Sequence, residues 1–319
     1  MMTITKCPAC NSEVFSQAIQ EYLSNGECYK LYSCPVCDLQ FWHPRITDPQ
    51  YYCKKSVLTS NIGLQRLRLW HHPFFRYFSI HSGKLLDVGC EDGAFLAKIQ
   101  KIGFEVYGTD FDHFAINAGQ KRRGLTNLYS KSLRDFFLQS GKKFDVITFF
   151  EVLEHQDNPQ IFLEDIKNLL TKNGWIAGSV PNRDRFIIKR EYQDFPPCHF
   201  LYFSEVSLRN FLERHGFSNI QIYSKSYRIT DLAIYLENQL LSDIGNNLKK
   251  SIKKNTLGVS EAAANGISVE NLPRVGINKY LFLKLLKFVR NAILFIPAWI
   301  LSPILRPHLY FQAQLKDGY

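Results

Sequence analysis

The chain has 319 residues, 45% of them hydrophobic, and a formal net charge of +10. This length allows one medium domain plus additions around a large core, and the lack of internal repeats or low-complexity tracts excludes repeat architectures. The positive charge favours anionic partners such as nucleic acid, nucleotide-sugars or acidic lipid surfaces, with a solvated basic surface as the plain alternative. The N-terminal sequence MMTITKCPAC has no apolar signal region, so we expect a cytoplasmic protein whose cysteines bind metal or remain free thiols.

Two CxxC knuckles lie near the amino terminus, formed by Cys7, Cys10, Cys34 and Cys37. Each knuckle can place two thiolates about 2.3 Å from one Zn²⁺, and two knuckles complete a closed tetrahedron. Because four sulfurs leave no open position, the sequence predicts a structural zinc ribbon over residues 1–45. A redox-active CxxC is the alternative, but two knuckles that each contain proline favour the ribbon.

A linker and a helical cover are predicted after the ribbon, over residues 46–82. The segment from Leu64 to Phe78 mixes aromatic residues with arginines, which is typical of a helix with one packed and one solvated face. We expect this helix to cover a ligand cleft formed by the elements that follow it. A nucleic-acid-binding face is the alternative for such a mixture.

The stretch LLDVGCEDGAFL, which begins at Leu85, combines a buried strand, a turn with Gly89 and Gly93, and the start of a helix. Strand, glycine turn and helix bring backbone N–H groups close to a nucleotide-like ligand. The next strand, 104–109, is followed by Asp110, about 20 residues beyond the turn, where a carboxylate can accept both hydroxyls of a ribose. Dinucleotide enzymes share this spacing, so the spacing alone leaves the cofactor open.

The rest of the chain continues to alternate strands with helices. The apolar patterns and the helix start and stop signals predict strands at 127–129, 144–149, 175–180, 219–223 and 308–316, and helices at 112–123, 158–173 and 205–215. This alternation is typical of an α/β fold with a mostly parallel sheet.

Four successive motifs carry a family resemblance: LLDVGCEDGAFL, VYGTDFDHFAINAG, FDVITFFEVLEH and LLTKNGWIAGSVPN. In this order they resemble the signatures of class I S-adenosylmethionine-dependent methyltransferases. Glu91 stands where the family's first motif, DVGCGxG, has its middle glycine. The resemblance implies a Rossmann-like seven-stranded α/β sheet with its core at 83–226 and a last strand at 306–319 that enters antiparallel.

The resemblance also implies which residues bind S-adenosylmethionine. Asp110 would accept the ribose hydroxyls, and Ser132 and Leu133 stand where family members contact the adenine ring, although a simple loop is the alternative reading of that position. The other candidates lie at the ends of the first, second and fourth strands of the core, and they are Asp87, Gly89, Cys90, Gly93, Phe111, Phe149 and Phe150.

Ionisable side chains follow the strand at 144–149, in the order Glu151, Glu154 and His155. Because strand ends of parallel sheets face the ligand cleft, this junction is the best place for catalysis, and on a helical turn the three residues share one face. Such a set can bind a divalent cation or provide a base, with a hydrogen-bonded structural turn as the plain alternative. The pattern ExxEH is common here in the family, and in small-RNA 2′-O-methyltransferases it holds a metal together with a later histidine.

That later histidine is predicted to be His199, in a long loop at 183–203. Long loops over a cleft usually act as lids or contact the substrate, and an imidazole with a pKa near 6.5 is suited to deprotonate a hydroxyl. The loop resembles the PP-x-H-x-x-x-F-S loop of bacterial sugar and polysaccharide methyltransferases, and CPVCDLQFWHPR resembles the zinc ribbon that precedes many of them. Tyr192 and Tyr202 are secondary candidates in the same loop.

Residues 227–305 do not fit the core and predict a helical insertion. Its segment 280–305 carries a narrow basic stripe among apolar residues, and its uncharged run is shorter than the about 20 residues that a spanning helix needs. This pattern suits an interfacial helix facing anionic headgroups at the inner face of a membrane. A helical cap or a dimer surface is the alternative.

The sequence therefore predicts an S-adenosylmethionine-dependent methyltransferase that acts on a sugar hydroxyl of a nucleotide-sugar or a cell-surface glycan. An RNA methyltransferase is the second hypothesis, prompted by the ribbon and the charge, with nucleic acid as the weaker partner. A noncatalytic adaptor is the third, supported only by Glu91. The expected cofactors are S-adenosylmethionine, one structural Zn²⁺ and, if the carboxylates and histidines bind a cation, Mg²⁺ or Mn²⁺ at the active site.

Overall fold

The computed structural model describes residues 3–46, 67–185, 190, 192–224 and 307–317. Within these ranges the strands are β1 (Thr3–Lys6), β2 (Glu13–Ser16), β3 (Gln20–Ser24), β4 (Glu27–Ser33), β5 (Gln40–His43), β6 (Gly83–Val88), β7 (Phe104–Asp110), β8 (Leu128–Ser130), β9 (Phe144–Phe150), β10 (Leu170–Pro181), β11 (Leu201–Tyr202), β12 (Phe217–Tyr223) and β13 (His308–Leu315). The α-helices of the same ranges are α1 (His72–Tyr77), α2 (Ala94–Gln100), α3 (His113–Arg123), α4 (Leu133–Ser140), α5 (Pro159–Leu169) and α6 (Glu205–Arg214).

Seven strands form the central sheet, in the order β12-β13-β10-β9-β6-β7-β8. The strands from β10 to β8 in this order pair in parallel, whereas β13 lies antiparallel between β10 and β12. The predicted fold class is confirmed: this is the seven-stranded α/β sheet of class I methyltransferases, with its last strand antiparallel.

The inner strands of this sheet are apolar through most of their central residues. Leu85, Leu86, Val146, Ile147 and Ile176 are all 0% exposed, although neighbouring residues of a strand point to opposite faces. Helices cover both faces of a parallel sheet, so the buried strands show continuous apolar runs instead of alternation. These continuous apolar runs made it possible to predict the strands from the sequence.

Most predicted boundaries agree with the structure to within one or two residues, because capping residues start the helices. Asn158 accepts a hydrogen bond from the Ile161 backbone N–H (3.2 Å) at the start of α5, where Pro159 occupies the first turn. Two neighbouring boundaries differ by more: α5 ends at Leu169, four residues before the predicted end, and β10 begins at Leu170, five residues before the predicted start. Leu170 already pairs with β9, and the register then shifts before pairing resumes at Trp175.

The amino-terminal region forms two small sheets. One consists of β1 and β2, and the other has the order β11-β5-β4-β3, so one of its strands comes from the loop that carries His199. This small-sheet region and the central sheet belong to one compact unit, made of Met1–Arg185, Glu191–Lys225 and Arg306–Tyr319. The predicted helical insertion at 227–305, including the segment 280–305, lies outside the described residues, and so does most of the predicted linker in 46–82. The domain boundaries therefore stay predictions.

Candidate functional site

The strand order of the central sheet reverses at β6, which has β7 on one side and β9 on the other. In open parallel sheets, ligands bind in the crevice outside the carboxyl ends of strands at such a reversal. Gly89 follows β6 in a left-handed conformation (φ +76°), and a Cβ there would lie 2.6 Å from Cγ2 of Val152, which follows β9. Glycine at this position therefore lets the turns after β6 and β9 meet at the reversal.

Asp110, at the end of β7, is tied to the glycine turn. Its carboxylate accepts hydrogen bonds from the backbone N–H groups of Glu91 (2.9 Å) and Asp112 (2.8 Å). Burial raises the pKa of Asp110 to about 6, although both hydrogen bonds oppose the rise. Each carboxylate oxygen has a further lone pair, so Asp110 can also accept the hydroxyls of a ribose.

Asp87 is the buried acid of the same turn, only 3% exposed. It accepts a hydrogen bond from the Thr148 hydroxyl (2.7 Å), which links β6 to β9. Burial raises the pKa of Asp87 to about 8, and the nearby charges of Asp110 and Glu91 raise it further. A ligand cation near this carboxyl would favour its ionised form.

Two of the cofactor candidates point their side chains into the core. The Cys90 thiol sulfur would lie 2.6 Å from a Cβ at Gly108, and the Phe149 ring packs on the rings of Phe162 and Phe311. Cys90 and Phe149 can therefore reach a bound cofactor only through backbone atoms.

The remaining candidates surround the same strand ends. Gly93 (φ +73°) precedes α2, and Phe111, 40% exposed, directly follows Asp110. The Ser132 hydroxyl caps α4 by accepting from the Asp135 N–H (3.0 Å), while Leu133 is buried. Ser132 thus has a structural use whether or not an adenine lies beside it.

A short 3-10 helix, Leu69–His71, contacts residues at this end of the sheet. The helical cover over 46–82 stays a prediction. The His71 ring meets the Phe150 ring edge-on at 4.8 Å, and Arg68 Nη2 lies 3.7 Å from Glu91 Oε1. Burial lowers the pKa of His71 to about 3, with a further contribution from Arg68. His71 is therefore a neutral imidazole at physiological pH.

The candidate catalytic centre lies in the turn after β9, where Glu154 meets two histidines. Glu154 is 0% exposed, and neither of its carboxylate oxygens has a hydrogen-bond partner within the described part of the chain. Its Oε1 lies 3.9 Å from His155 Nε2 and 4.0 Å from His199 Nε2. Burial raises the pKa of Glu154 well above its usual range, and the charge of Glu151 raises it further.

Each imidazole also has a neighbour at its Nδ1 atom, which is a backbone carbonyl for His155 and a carboxylate for His199. His155 Nδ1 lies 2.6 Å from the carbonyl oxygen of Cys198, and the His155 and His199 rings meet at 4.7 Å. His199 Nδ1 lies 3.7 Å from Asp194 Oδ1. The structure therefore brings Glu154, His155 and His199 together, as the sequence predicted.

The sequence predicted that Glu151 shares one face with Glu154 and His155, but its side chain points elsewhere. Its carboxylate accepts a hydrogen bond from the Ser179 hydroxyl (2.7 Å) and lies 3.0 Å from His308 Nδ1. The reason is local: Glu151 has φ +54°, so the helical turn begins only at Leu153 and the three residues do not share one face. Burial would raise the pKa of Glu151, but His308, Ser179 and Arg185 outweigh burial and hold that pKa below its ordinary value.

Three functional-site residues had no sequence signal of their own. His308 begins a strand 109 residues beyond His199, while Asp194 and Arg185 form an ion pair next to the imidazoles. Tyr202 donates its hydroxyl to the backbone carbonyl of Asp194, which places this secondary candidate in a supporting position. Charged residues are common in long loops, so only the folded structure identifies Asp194 and Arg185 as neighbours of the imidazoles.

The four knuckle cysteines come together in one cluster. The Sγ atoms of Cys7 and Cys37 lie 3.5 Å apart, those of Cys10 and Cys34 lie 3.6 Å apart, and all four ligand atoms lie within 4.8 Å of one another. Thiolates about 2.3 Å from a tetrahedral zinc are about 3.8 Å apart. The four thiols therefore fit a zinc ion.

The two knuckles are also built alike. In each, the residue after the second cysteine has positive φ (Asn11 +59°, Asp38 +65°) and donates its N–H to the carbonyl of the first cysteine at 3.0 Å. This repeated turn points the two thiols of each knuckle to the same side.

Among the described residues, no helix combines the length and the apolar character that a membrane crossing requires.

Residues 63–222 match the family model described as a methyltransferase domain, which covers half of the chain. A ubiquinone biosynthesis O-methyltransferase from Actinobacillus pleuropneumoniae is 34% identical over 108 residues, 31% of this chain and 46% of that protein. An enzyme of the same description from Cereibacter sphaeroides is 31% identical over 104 residues, 32% of this chain and 42% of that protein. The chain thus spans less than half the length of these curated relatives.

A solved S-adenosylmethionine-dependent methyltransferase from Archaeoglobus fulgidus has a TM-score of 0.44 to this chain. It is 16% identical, and the likeness covers 76% of this chain and 92% of that one. Family membership rests on the family model together with the topology of the central sheet. This chain belongs to the methyltransferase-domain family, the class I S-adenosylmethionine-dependent methyltransferases.

Proposed function

We propose that this chain transfers the methyl group of S-adenosylmethionine to a hydroxyl oxygen, and that His199 is the base that removes the hydroxyl proton. S-adenosylmethionine, when bound, supplies a methyl group that its sulfonium already activates. The protein must then hold the acceptor oxygen in line and accept its proton. Asp110 would bind the cofactor's ribose, and the glycine turn after β6 would hold its other polar groups.

One observation carries the assignment of the base: the buried Glu154 carboxylate faces two imidazoles across gaps of 3.9 and 4.0 Å. These gaps exceed hydrogen-bond length, but one oxygen at about 2.8 Å from each group would fit between them. An acceptor hydroxyl in that place could pass its proton to His199. The imidazolium that forms would favour the ionised form of Glu154, and the carboxylate would in turn stabilise the imidazolium.

A metal-assisted form of the reaction is the second candidate. His155, Cys198 and His199 offer ligand atoms that lie within 4.8 Å of one another. A cation bound to Glu154 and the two histidines at about 2.1 Å each would need donor atoms about 3.0–3.4 Å apart. The observed separations are longer, and a thiol suits zinc better than Mg²⁺ or Mn²⁺. The present geometry therefore favours the metal-free base.

For the acceptor, we propose a sugar hydroxyl of a nucleotide-sugar or glycan. The side chains around the imidazoles are polar or charged, including Glu154, Asp194 and Arg185, and such groups suit a polyol. The names of the curated relatives support an oxygen acceptor but suggest a compound of ubiquinone biosynthesis instead. The net charge of +10 keeps RNA as a further alternative.

We also propose that zinc is held by Cys7, Cys10, Cys34 and Cys37, where it would act structurally because no ligand position stays open. Peripheral membrane contact through residues 280–305 remains part of the proposal, since a membrane-bound glycan acceptor would be reached there.

The test is methyl transfer from labelled S-adenosylmethionine to pools of nucleotide-sugars and glycans, to tRNA and rRNA, and to ubiquinone precursors. We expect a mass gain of one methyl in the sugar pool. Transfer to RNA or to a ubiquinone precursor alone would overturn the proposed acceptor. Titration calorimetry with S-adenosylmethionine tests the cofactor site: Asp110→Ala should weaken binding by about tenfold or more, about 1.4 kcal/mol, and unchanged affinity would contradict its role.

The base and the metal are separated by His199→Ala and by chelation under conditions that leave the ribbon zinc bound. The metal-free base predicts loss of activity in His199→Ala and indifference to chelator. The exposed His81 provides a matched control, His81→Ala, that should keep full activity. Activity lost on chelation and restored by a divalent cation would favour the metal instead.

A further inference from the structure

The cysteine-rich region is joined to the His199 loop by a shared sheet. The strand β11, two residues after His199, lies antiparallel to β5, with Leu201 opposite Phe41 and Tyr202 opposite Gln40. In the same ladder the Trp42 N–H donates to the Phe200 carbonyl at 2.9 Å. The backbone that follows the proposed base is thus an edge strand of the ribbon's own sheet.

The peptide groups of Phe200 connect the ribbon to the catalytic turn. The Phe200 carbonyl accepts from Trp42 of the ribbon, while the Phe200 N–H donates to the backbone carbonyl of Glu154 at 2.9 Å. Phe200 itself is 0% exposed. Because Phe200 directly follows His199, these two hydrogen bonds determine where the imidazole can lie relative to the Glu154 carboxylate.

A charge cluster strengthens the same connection, with the Arg183 side chain 14% exposed and the Asp38 side chain 43% exposed. Arg183, two residues after the end of β10, donates from Nη1 and Nη2 to the two carboxylate oxygens of Asp38, at 3.0 Å each. Ser204, the residue that caps α6, donates its hydroxyl to the same carboxylate. A two-pronged guanidinium–carboxylate pair fixes orientation as well as distance, so Asp38 holds both ends of the 183–204 segment.

Asp38 owes its position to the second knuckle. It directly follows Cys37, has φ +65°, and donates its N–H to the Cys34 carbonyl at 3.0 Å. Two residues later the chain enters β5. The turn that holds the cysteines in place therefore also holds Asp38 and the start of β5.

From these contacts we infer that the cysteine-rich ribbon is the positioning element of the active site, and that Asp38 is a positioning residue that acts on His199 through Arg183, Ser204 and the β5–β11 pairing. The inference rests on the proposed role of His199 as the base. The ribbon supplies no reacting atom, but it determines the position of the loop that carries the base. Methyl transfer should depend on the integrity of a knuckle turn.

The variant Asp38→Asn tests this inference, because asparagine keeps the shape of the side chain and tolerates positive φ but removes the charge. Asp184→Asn is the matched control: Asp184 also pairs with Arg183 (2.7 Å) but is exposed and belongs to neither the ribbon nor β11. Arg183→Gln removes the other partner of the same ion pair. Together with the double variant, the two single variants form a double-mutant cycle. All are measured as full-length, zinc-loaded protein of equal zinc content.

Two readouts are needed. Hydrogen exchange should speed up by about tenfold at the amides of 200–202 in Asp38→Asn and Arg183→Gln, with unchanged protection in β9. In the methyl-transfer assay kcat should fall by about fivefold or more, with the affinity for S-adenosylmethionine unchanged, and the double variant should be no worse than either single variant. Asp184→Asn should match the parent protein in both readouts.

Unchanged exchange at 200–202 in both single variants would overturn the inference. So would a general loss of protection that includes β9, because Asp38 would then only stabilise the fold. If no acceptor is methylated even by the parent protein, the proposed function fails, and the exchange measurement still decides whether Asp38 holds the loop.

Discussion

His308 Nδ1 lies 3.0 Å from Glu151 Oε2, so the first residue of β13 is paired with the residue that follows β9. Because β13 enters between β10 and β12, its amino-terminal end reaches the edge of the sheet where the parallel strands have their carboxyl ends. The antiparallel last strand therefore brings a histidine to the candidate catalytic turn. The pair holds Glu151 ionised next to the buried Glu154.

We predict that His308→Ala lowers the free energy of unfolding by about 1–3 kcal/mol, the usual cost of leaving a buried polar group without one of its partners. The pKa of Glu151 should rise in the variant, because burial is then opposed by fewer partners. Chemical denaturation at pH 6 measures the first effect, and a carboxyl titration by NMR measures the second. Gln314→Ala, on the same strand, removes only solvent-exposed side-chain hydrogen bonds, to Asn219 and Asn173, and should change stability by less than about 0.5 kcal/mol. Equal losses in both variants would contradict the prediction.

Local pattern was sufficient to predict the central sheet, and it also located part of the candidate site. Leu85, Leu86 and Ile147 lie in apolar runs that only a doubly covered strand explains. Glu154 and His155 were found because they lie in the turn that follows such a strand, and strand ends of parallel sheets share one edge.

Pairings between distant segments could not be predicted. His308 is a lone histidine at the start of a strand, and nothing in its neighbourhood indicates Glu151. The two-residue strand β11 is too short to show any periodicity, so its pairing with β5 exists only in the folded chain. The direction of Glu151 was missed for a local reason, since a glutamate with φ +54° is uncommon and no sequence rule would place it there.

The ribbon should contain one tightly held zinc ion per chain. Metal analysis of protein purified without added zinc measures this directly, and Cys34→Ser should abolish it, because three thiolates leave the tetrahedron open. Cys28 is exposed and lies outside the four-cysteine cluster, so Cys28→Ser is the matched control and should keep its zinc. A Cys34→Ser protein with full zinc content and full solubility would show that the cluster does not bind the metal as proposed.

Stability without cofactor should fall as pH rises, in part because of Asp87. Burial raises the pKa of Asp87 to about 8 in the folded chain, against about 3.9 in an unfolded one. Between these values the folded state holds a proton that the unfolded state has lost, so the free energy of unfolding decreases with pH across this window. One group contributes at most about 1.4 kcal/mol per pH unit.

The variant Asp87→Asn removes this contribution and keeps an oxygen that can accept the Thr148 hydrogen bond. We therefore expect its stability advantage over the parent protein to grow by about 1 kcal/mol or more between pH 5 and pH 8 and then to level off. Denaturant unfolding at each pH is the measurement. Parallel stability curves for the two proteins would show that Asp87 does not titrate in this range.

Glu91 is the one residue of the glycine turn that departs from the family's motif, and the structure shows what that departure costs. Its backbone has φ +49°, a left-handed conformation that side chains other than glycine adopt at a cost of about 1 kcal/mol. Its N–H still donates to Asp110 at 2.9 Å, so the turn keeps the shape that a glycine would give it. The carboxylate is half-exposed, and its pairing with Arg68 at 3.7 Å is a surface ion pair of little energy.

Glu91→Gly should therefore raise the free energy of unfolding by about 0.5–1 kcal/mol, because glycine takes this conformation without steric strain. Glu91→Ala is the control: it removes the same carboxylate but keeps the strained backbone, and it should not stabilise the protein. Calorimetric titration with S-adenosylmethionine completes the test. Both variants keep the backbone N–H that donates to Asp110, so their affinities for the cofactor should be equal. If alanine stabilised as much as glycine, the effect would come from the lost charge, and the strain assigned to this turn would be refuted.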